Sequence, residues 1–478
     1  MVYFSSHVAI KVFEYHADFY LTILFAVSFF LYKNFIKKIS KEITLFAYIV
    51  FYYALTQFTQ FKIVNSVYDS ANWNTWLPDS ARFALIAAWF VYVIYIYIFE
   101  NELLEDNGER ILCIDTALAG SLFVCTARDY IDIYIALEVI AFATYTLIAS
   151  DKSRYSSEAT LKYFLYSAYG SFIIVLAFVY SYFYSGQSFV DLNGVLGFKG
   201  LHFDIVTILW LSAFFAKLGI GLFYHWVAPV YQGLSGYAFV FLSVTSKVIA
   251  LFPFFFLWNF VVVQGGHIFY YYITFSIVIA NIFVARDLIN EINFRRIAGY
   301  SSILNFGLIT LGLFNGHFSF NIFVCFVLIY LSGAFSTYIW HSILNTYSDT
   351  GQEVTNINKF KFSNPMATFM FKVSLIINSG LPPITLFIYK IASVGMIVSS
   401  PSNGFEVTQL IVGLLIIFSN ISLYYSYITI VYASSFTNPE NVPIISANIK
   451  INNHYAYYFG TSIIFITIAL FVFTLNIL

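Results

Sequence analysis

The sequence predicts an all-α protein that crosses a membrane many times, and three observations lead there. Apolar residues fill 60% of the 478 positions and charged residues only 10%, where a soluble domain carries roughly 25% charged residues. Apolar runs recur from one end to the other, each long enough to span a hydrocarbon core of roughly 30 Å. Lys and Arg also collect in alternate loops between those runs. A transmembrane barrel would show alternating segments of about 10 residues, and the chain has none.

The runs fall at about 17–32, 43–63, 80–99, 111–127, 130–149, 159–184, 204–227, 237–262, 268–285, 298–315, 320–345, 366–398, 407–434 and 455–477, which gives about fourteen helices. Sorting loop cations by side tests this count. One side receives Lys33, Lys37, Lys38, Lys41, Arg110, Lys152, Arg154, Arg286, Arg295, Arg296, Lys359, Lys361 and Lys450; the other receives Lys11, Lys62, Arg82, Arg128 and Lys199. The richer side faces the compartment of synthesis, which puts both termini on the opposite face.

Five cations fall inside the spans: Lys162, Lys217, Lys247, Lys372 and Lys390. Lys162 and Lys372 sit near span ends, where a long side chain snorkels to the headgroups. Lys217, Lys247 and Lys390 are deeper, and Glu138 also stands near mid-membrane. Each such charge costs roughly 2.5–3.5 kcal/mol on insertion scales, so four of them point to a polar path inside the bundle. A structural ion pair is the plainer alternative for any one of them. Asp115, Asp129 and Asp132 read as helix-end or interfacial groups, and the many Tyr and Phe as mostly lipid-facing bulk and belts.

Two spans are interrupted. The run 366–398 contains SGLPP at 379–383; proline lacks a donor and clashes with the preceding turn, so the helix unwinds there. The run 204–227 is broken at Gly219 and Gly221, close to Lys217. Unwound backbone at membrane depth is tolerated only inside protein or beside water, and interrupted helices at matching positions of two halves point to an ion site. Spans 4–8 and 9–13 thus read as two five-helix units, with breaks in helices 7 and 12. An odd number of helices per unit inverts the second. The organisation expected is three N-terminal helices over 1–105, a first repeat over 106–264, a second over 265–436, and a loop and helix over 437–478.

Cys113, Cys125 and Cys325 are scattered, with no spacing for zinc, and no basic run suggests nucleic acid. GIG at 219–221 lacks the third glycine and the strand of a nucleotide site. The N-terminus resembles neither a presequence nor a secretory signal. With 56 Phe and 39 Tyr, the composition fits an A+T-rich organellar gene.

These motifs together resemble the antiporter-like membrane subunits of respiratory complex I, most closely the chain 2 branch. ALEVIAFATYTL at 136–147 resembles that family's helix 5, EATLKYFLYSAYGS at 158–171 its helix 6, and KLGIGLFYHWVAPVYQG at 217–233 its helix 7 with the following loop. NFRRIAGYSSILNFGLITLGL at 293–313 is similar to its basic loop and helix 10, and SGLPPITLFIYK at 379–390 to its broken helix 12. Leu222 stands where the family has proline, and Leu386 and Tyr389 where it has glycines. The family histidine stands seven residues after the lysine; here that position is Tyr224, and His225 follows at eight. One residue rotates a side chain by about 100° on a helix.

The resemblance implies a proton-translocating subunit of NADH:ubiquinone reductase. The expected transfer residues are Glu138, Lys217, Lys247 and Lys390, with His225 as a candidate relay. Hydroxyls such as Ser243 and Thr245 would help water join the lysines. Burial weakens an amine's hold on its proton and a nearby carboxylate strengthens it, so such groups can be driven to load and release. No metal, cofactor or redox centre is expected in this chain; FMN, iron–sulfur clusters and ubiquinone are expected elsewhere in the complex. Expected partners are a chain 4-type subunit, small membrane subunits and lipids such as cardiolipin. The expected location is the mitochondrial inner membrane, with termini toward the intermembrane space. A free-standing cation/proton antiporter subunit, a silent structural member of the membrane arm and an unrelated solute transporter are the alternatives.

Overall fold

A computed structural model describes residues 21–27, 47, 50–51, 108–126, 130–151, 153–185, 201–245, 247, 267–314, 320–345, 365–381, 386–387, 390–391, 394–395, 406–436 and 461. Nearly all of these are helical. Among them, five stretches are long and apolar enough to cross a membrane: Ile131–Ala149, Arg154–Phe183, Asp204–Gly233, Tyr271–Asn290 and Ile411–Tyr432. The expected spans at 17–32, 43–63, 80–99 and 455–477 lie wholly or mostly outside the described residues, as do Pro382, Pro383 and Tyr389. The chain divides into two compact units, one running to Ala213 and the other holding Phe214–Lys247 and the residues from Val261 onward.

The first unit contains α1 (Gly108–Thr126), α2 (Tyr130–Ala149), α3 (Arg154–Ser185) and most of α4 (Leu201–Leu218). α1 packs on α2, and α2 on α3. The α1–α2 contact is close at Gly120, where a Cβ would stand 2.8 Å from Ile140 Cγ1 and 3.3 Å from the Ala136 carbonyl oxygen. Arg110 fastens the start of α1 to the end of α2, donating to the Ser150 carbonyl at 3.2 Å and pairing with Asp151 at 3.5 Å. Further in, the Cys113 thiol meets the Thr146 hydroxyl at 3.1 Å.

α3 begins before the apolar run that predicts it, because its first turn is capped. The Ser156 N–H donates to Ser153 Oγ and the Ser153 N–H to Ser156 Oγ, each at 3.0 Å. This reciprocal pair satisfies two donors that a helix start leaves open. Asp115 departs from expectation: it lies two turns into α1 and is buried, not at a helix end. The surrounding apolar pattern hid its depth.

The second unit contains α5 (Val227–Gly233), α6 (Gly236–Val240), a π-turn (Phe241–Thr245), α7 (His267–Asn290), α8 (Phe294–Phe314), α9 (Phe320–Asn345), α10 (Pro365–Ser379) and α11 (Glu406–Phe436). α8 lies against α5, α7, α9 and α11, while α10 lies between α9 and α11. The start of α8 is set by Asn293, whose Oδ1 accepts from the Arg295 N–H at 3.0 Å.

The double arginine after that cap turns inward. Arg295 donates to the Leu234 carbonyl and covers the Phe239 ring. Arg296 bonds Gln232 at 2.6 Å and Glu291 at 3.0 Å. These cations therefore secure the loop after α5, beyond their topological bias.

α11 shows how the faces divide. Ile411, Leu414, Phe418, Ile421, Tyr425, Ile428 and Tyr432 are exposed, at helical spacing, whereas Ser419, Asn420, Ser422, Ser426 and Tyr427 are buried. This is the reverse of a soluble surface helix, and it suits a lipid-facing exterior with a polar interior. The expectation of mostly lipid-facing aromatics is corrected here: Tyr231, Tyr330, Tyr338, Tyr427 and Trp340 are among the most completely buried side chains. Their rings fill the unit, and the Tyr427 hydroxyl bonds Asn378 and Ser301 inside it.

α8 approaches α5 closely at Gly299. A Cβ there would stand 3.0 Å from the Ala228 Cα, a backbone atom that cannot rotate aside. Gly299→Val is expected to cost about 1–3 kcal/mol of stability through overpacking. Thermal unfolding of the purified protein in detergent, compared with wild type, checks this.

Candidate functional site

The site is built on two helix ends inside the second unit. α4 stops at Leu218 because Gly219 takes φ +66°, and Gly221 follows with φ +60°. Only glycine enters that region without steric penalty. A Cβ at Gly219 would also stand 2.0 Å from Val227 Cγ2. Beyond the break the chain makes a 3₁₀ turn, Gly221–Trp226, and then enters α5. The second break has the same chemistry. α10 stops at Ser379, and Gly380 takes φ +72°.

A helix C-terminus presents carbonyls without intrahelical donors and carries a partial negative charge. At α4 three of them receive specific partners. The Ile220 N–H reaches back to the Phe215 carbonyl at 3.0 Å, and the Trp226 indole N–H donates to the Ala216 carbonyl at 3.1 Å. The last one, Leu218, accepts from Lys247 Nζ at 3.0 Å. Lys247 is 1% exposed, and its ammonium sits 5.2 Å from the centre of the Phe306 ring.

α10 repeats the arrangement with a different lysine. Lys390, eleven residues further on, folds back so that Nζ donates to the Ser379 carbonyl at 2.8 Å. It is 4% exposed and lies 4.9 Å from the centre of the Tyr424 ring. A Cβ on Gly380 would stand 3.3 Å from Lys390 Nζ and 2.9 Å from Leu386 Cβ. The glycine therefore supplies both the left-handed turn and the space for the amine. Leu386, at a family glycine position, packs against the break.

Each buried lysine thus meets the final carbonyl before a left-handed glycine. Opposite charge at a helix C-terminus is favourable, and an aromatic face adds cation–π attraction. A neutral amine loses most of both. Each arrangement places a buried amine against the end of an interrupted helix.

The other sequence-derived residues are placed as follows. Lys217 is half-buried in the last turn of α4, one residue before Leu218. Glu138 is half-buried in the first unit, the ninth residue of α2. His225 is exposed on the 3₁₀ turn, with its ring centre 3.9 Å from that of Tyr224. Ser243 is buried, and its hydroxyl donates to the Val240 carbonyl at 3.2 Å; the side chain of Thr245 lies outside the described residues. Lys162 is a surface residue paired with Glu158 at 2.5 Å, and Lys372 is half-buried in α10.

A polar cluster that sequence reasoning missed lies beside the second break. Asn378, the last residue but one of α10, donates through Nδ2 to Tyr427 Oη at 3.1 Å. Tyr427 donates to Ser301 Oγ at 2.8 Å. Both side chains of this link to α10 are buried, as are Asn281 on α7 and Asn305 on α8. Small polar residues spaced four apart on α8 (Ser301 and Asn305) were the available signal, but such residues are common helix filler.

Comparison with known proteins identifies the family. A profile described as NADH:quinone oxidoreductase/Mrp antiporter, transmembrane, matches residues 127–419. The chain belongs to this family. Within the NADH:quinone oxidoreductase/Mrp antiporter family, it is 28% identical over 363 residues to the NADH-quinone oxidoreductase subunit N of Acinetobacter baumannii, covering 73% of this chain and 70% of that protein. It is 27% identical to the subunit N of Anaplasma phagocytophilum, over 57% of this chain and 59% of that protein. With the chloroplastic NAD(P)H-quinone oxidoreductase subunit 2 of Chlorokybus atmophyticus the identity is 26%, over 69% and 64% respectively.

Among solved structures, the fold is similar to a chain of respiratory complex I from Thermus thermophilus, with TM-score 0.70 and 15% identity, covering 95% of this chain and 96% of that one. A chain of an archaeal membrane-bound sulfane sulfur reductase gives TM-score 0.74 at 15% identity over 94% of each. A chain of the Mrp complex from Dietzia sp. gives 0.66 at 12% identity over 74% of this chain and 39% of that one.

Gly380→Ala tests the second break. It forces a left-handed alanine, at about 1–2 kcal/mol, and crowds Lys390. The expected outcome is lower thermal stability and faster limited proteolysis of the purified protein than for Ala334→Gly, an ordinary buried helix position. Equal behaviour of the two variants would contradict the geometry.

Proposed function

We propose that this chain is a chain 2-type, proton-translocating membrane subunit of a respiratory NADH:ubiquinone oxidoreductase. The observation that carries the proposal is the pair of buried amines, Lys247 and Lys390, each set on the last carbonyl of an interrupted helix. Family membership supports it, as do relatives named subunit N and subunit 2. The full reading has fourteen helices, with two inverted five-helix repeats over 106–264 and 265–436.

In this reading Glu138 and Lys217 form the acid–amine pair of the first repeat, and protons pass laterally to Lys247 and then Lys390. When Lys247 or Lys390 releases its proton, it gives up its ionic hold on the α4 or α10 terminus; reloading restores it. One proton moves per cycle, and His225 serves at most as a relay at the turn. The chain acts as part of a translocase and carries no redox centre. FMN, iron–sulfur clusters and ubiquinone belong to other subunits. A chain 4-type neighbour, small membrane subunits and lipids such as cardiolipin complete the assembly, in the mitochondrial inner membrane with both termini toward the intermembrane space. The likeness to a chain of the Mrp complex leaves a cation/proton antiporter subunit as a second reading, which co-purification with flavin and iron–sulfur subunits excludes.

The test uses the intact complex with Glu138→Gln or Lys217→Ala. Quinone-linked turnover and proton pumping are expected to fall together, by about tenfold or more, while electron transfer to a hydrophilic artificial acceptor is kept. Wild-type rates of quinone-linked turnover and proton pumping in both variants would remove the proposal.

A further inference from the structure

The two interrupted helices end alike except in one contact. Three residues before each left-handed glycine stands a carbonyl that the break opens: Ala216 before Gly219, and Ile377 before Gly380. At the second break this carbonyl accepts from the Gly380 N–H at 3.2 Å, the backbone closure usual for a glycine-ended helix. At the first break it accepts from a side chain beyond the break, the Trp226 indole N–H, at 3.1 Å. The Leu218 and Ser379 carbonyls, two residues further on, both go to lysine.

The indole reaches Ala216 because the 3₁₀ turn folds back over the break. A Cβ at Gly219 would stand 3.1 Å from Trp226 Cε2 and 2.0 Å from Val227 Cγ2. The residue that ends the turn and the one that begins α5 therefore cover the glycine. Trp226 is buried, in an interior where a hydrogen bond is stronger than in water. α5 is braced in its turn. Gly299 of α8 meets Ala228, Arg295 donates to Leu234, and Arg296 bonds Gln232. α8 also carries Phe306, over which the Lys247 ammonium sits. The indole thus joins a braced segment to the helix end that receives Lys247.

We propose that Trp226 is a positioning residue for Lys247: by clasping the Ala216 carbonyl, its indole fixes the end of α4 so that the Leu218 carbonyl meets the amine. Ala216 and Leu218 belong to one helical turn, whose planar peptide units turn together. A donor fixed on the first carbonyl therefore sets the direction of the second. Trp226 acts through the backbone and carries no proton. The second break closes the corresponding carbonyl with its own glycine, so this dependence on a side chain belongs to Lys247 and not to Lys390. The inference rests on the proposed proton path and names a residue that serves its Lys247 step.

The experiment uses the intact complex in lipid, as wild type, Trp226→Phe, Trp210→Phe and Lys247→Ala. Trp226→Phe keeps a ring and removes the indole N–H; Trp210→Phe removes a buried indole elsewhere on α4. Quinone-linked turnover, proton pumping and electron transfer to a hydrophilic artificial acceptor are measured, and the structures are imaged. In Trp226→Phe, quinone-linked kcat and pumping are expected to fall about fivefold or more against the acceptor rate, the effect of about 1 kcal/mol at the site. The quinone KM stays unchanged. Lys247 Nζ leaves the Leu218 carbonyl while Lys390 Nζ stays on Ser379, and Trp210→Phe keeps the wild-type ratio. A purely structural defect lowers the amount of complex and the acceptor rate together, and leaves that ratio unchanged. A wild-type ratio in Trp226→Phe, or an equal fall in Trp210→Phe, overturns the inference; with pumping lost in Lys247→Ala, the proton path stands. Full pumping in Lys247→Ala overturns the path itself. Where Trp226→Phe fails to assemble, wild-type particles imaged during turnover decide. The inference requires the indole on Ala216 in every class that holds Lys247 on Leu218, and a class with the amine in place and the indole away overturns it.

Discussion

A lysine ammonium held against the last carbonyl of an interrupted helix is the contact on which the rest of this structure depends. Breaking a helix at membrane depth leaves carbonyls that neither lipid nor the next turn can satisfy. At α4 and α10 the fold answers with a left-handed glycine and a buried cation. The break needs the charge to cap it, and the charge needs the break to be tolerated in a dry interior. Each half therefore supports the other.

The surrounding architecture protects that contact. α8 is the central support: it carries Phe306 beneath Lys247, Ser301 beneath Tyr427, and Gly299 against α5. The arginines at its start secure the loop that follows the first break. The outward faces of α3 and α11 are apolar, while serine, asparagine and tyrosine hydroxyl and amide groups turn inward. Most buried serines and threonines return their hydrogen to a carbonyl three residues back, as Ser336 and Thr337 do. That local bond lets polar atoms enter an apolar bundle without demanding a distant partner.

Much of this was legible in the sequence. The run 320–345 coincides with α9, 130–149 with α2, and 407–434 lies within α11, because an apolar stretch between polar loops fixes a span by length alone. The breaks were legible because glycine beside a buried lysine has few other uses. The partners of the lysines were not. Lys247 caps a carbonyl 29 residues earlier, and Lys390 folds back toward the break it follows; both depend on packing that periodicity does not encode. Asp115 and the buried tyrosines were misplaced for a related reason. In an all-round apolar helix the pattern does not say which face is inside, so one carboxylate or phenol reads alike on either. Asn305 and Asn420 carry no signal in the sequence, because only packing shows that an amide is buried.

The most direct measurement is the position of both amines in the intact complex, imaged at rest and during steady turnover. The account predicts that at rest Lys247 Nζ and Lys390 Nζ lie within about 3 Å of the Leu218 and Ser379 carbonyls. During turnover, a second population with at least one amine withdrawn is expected. A single fixed position for both lysines in every class of turning-over particles would contradict it.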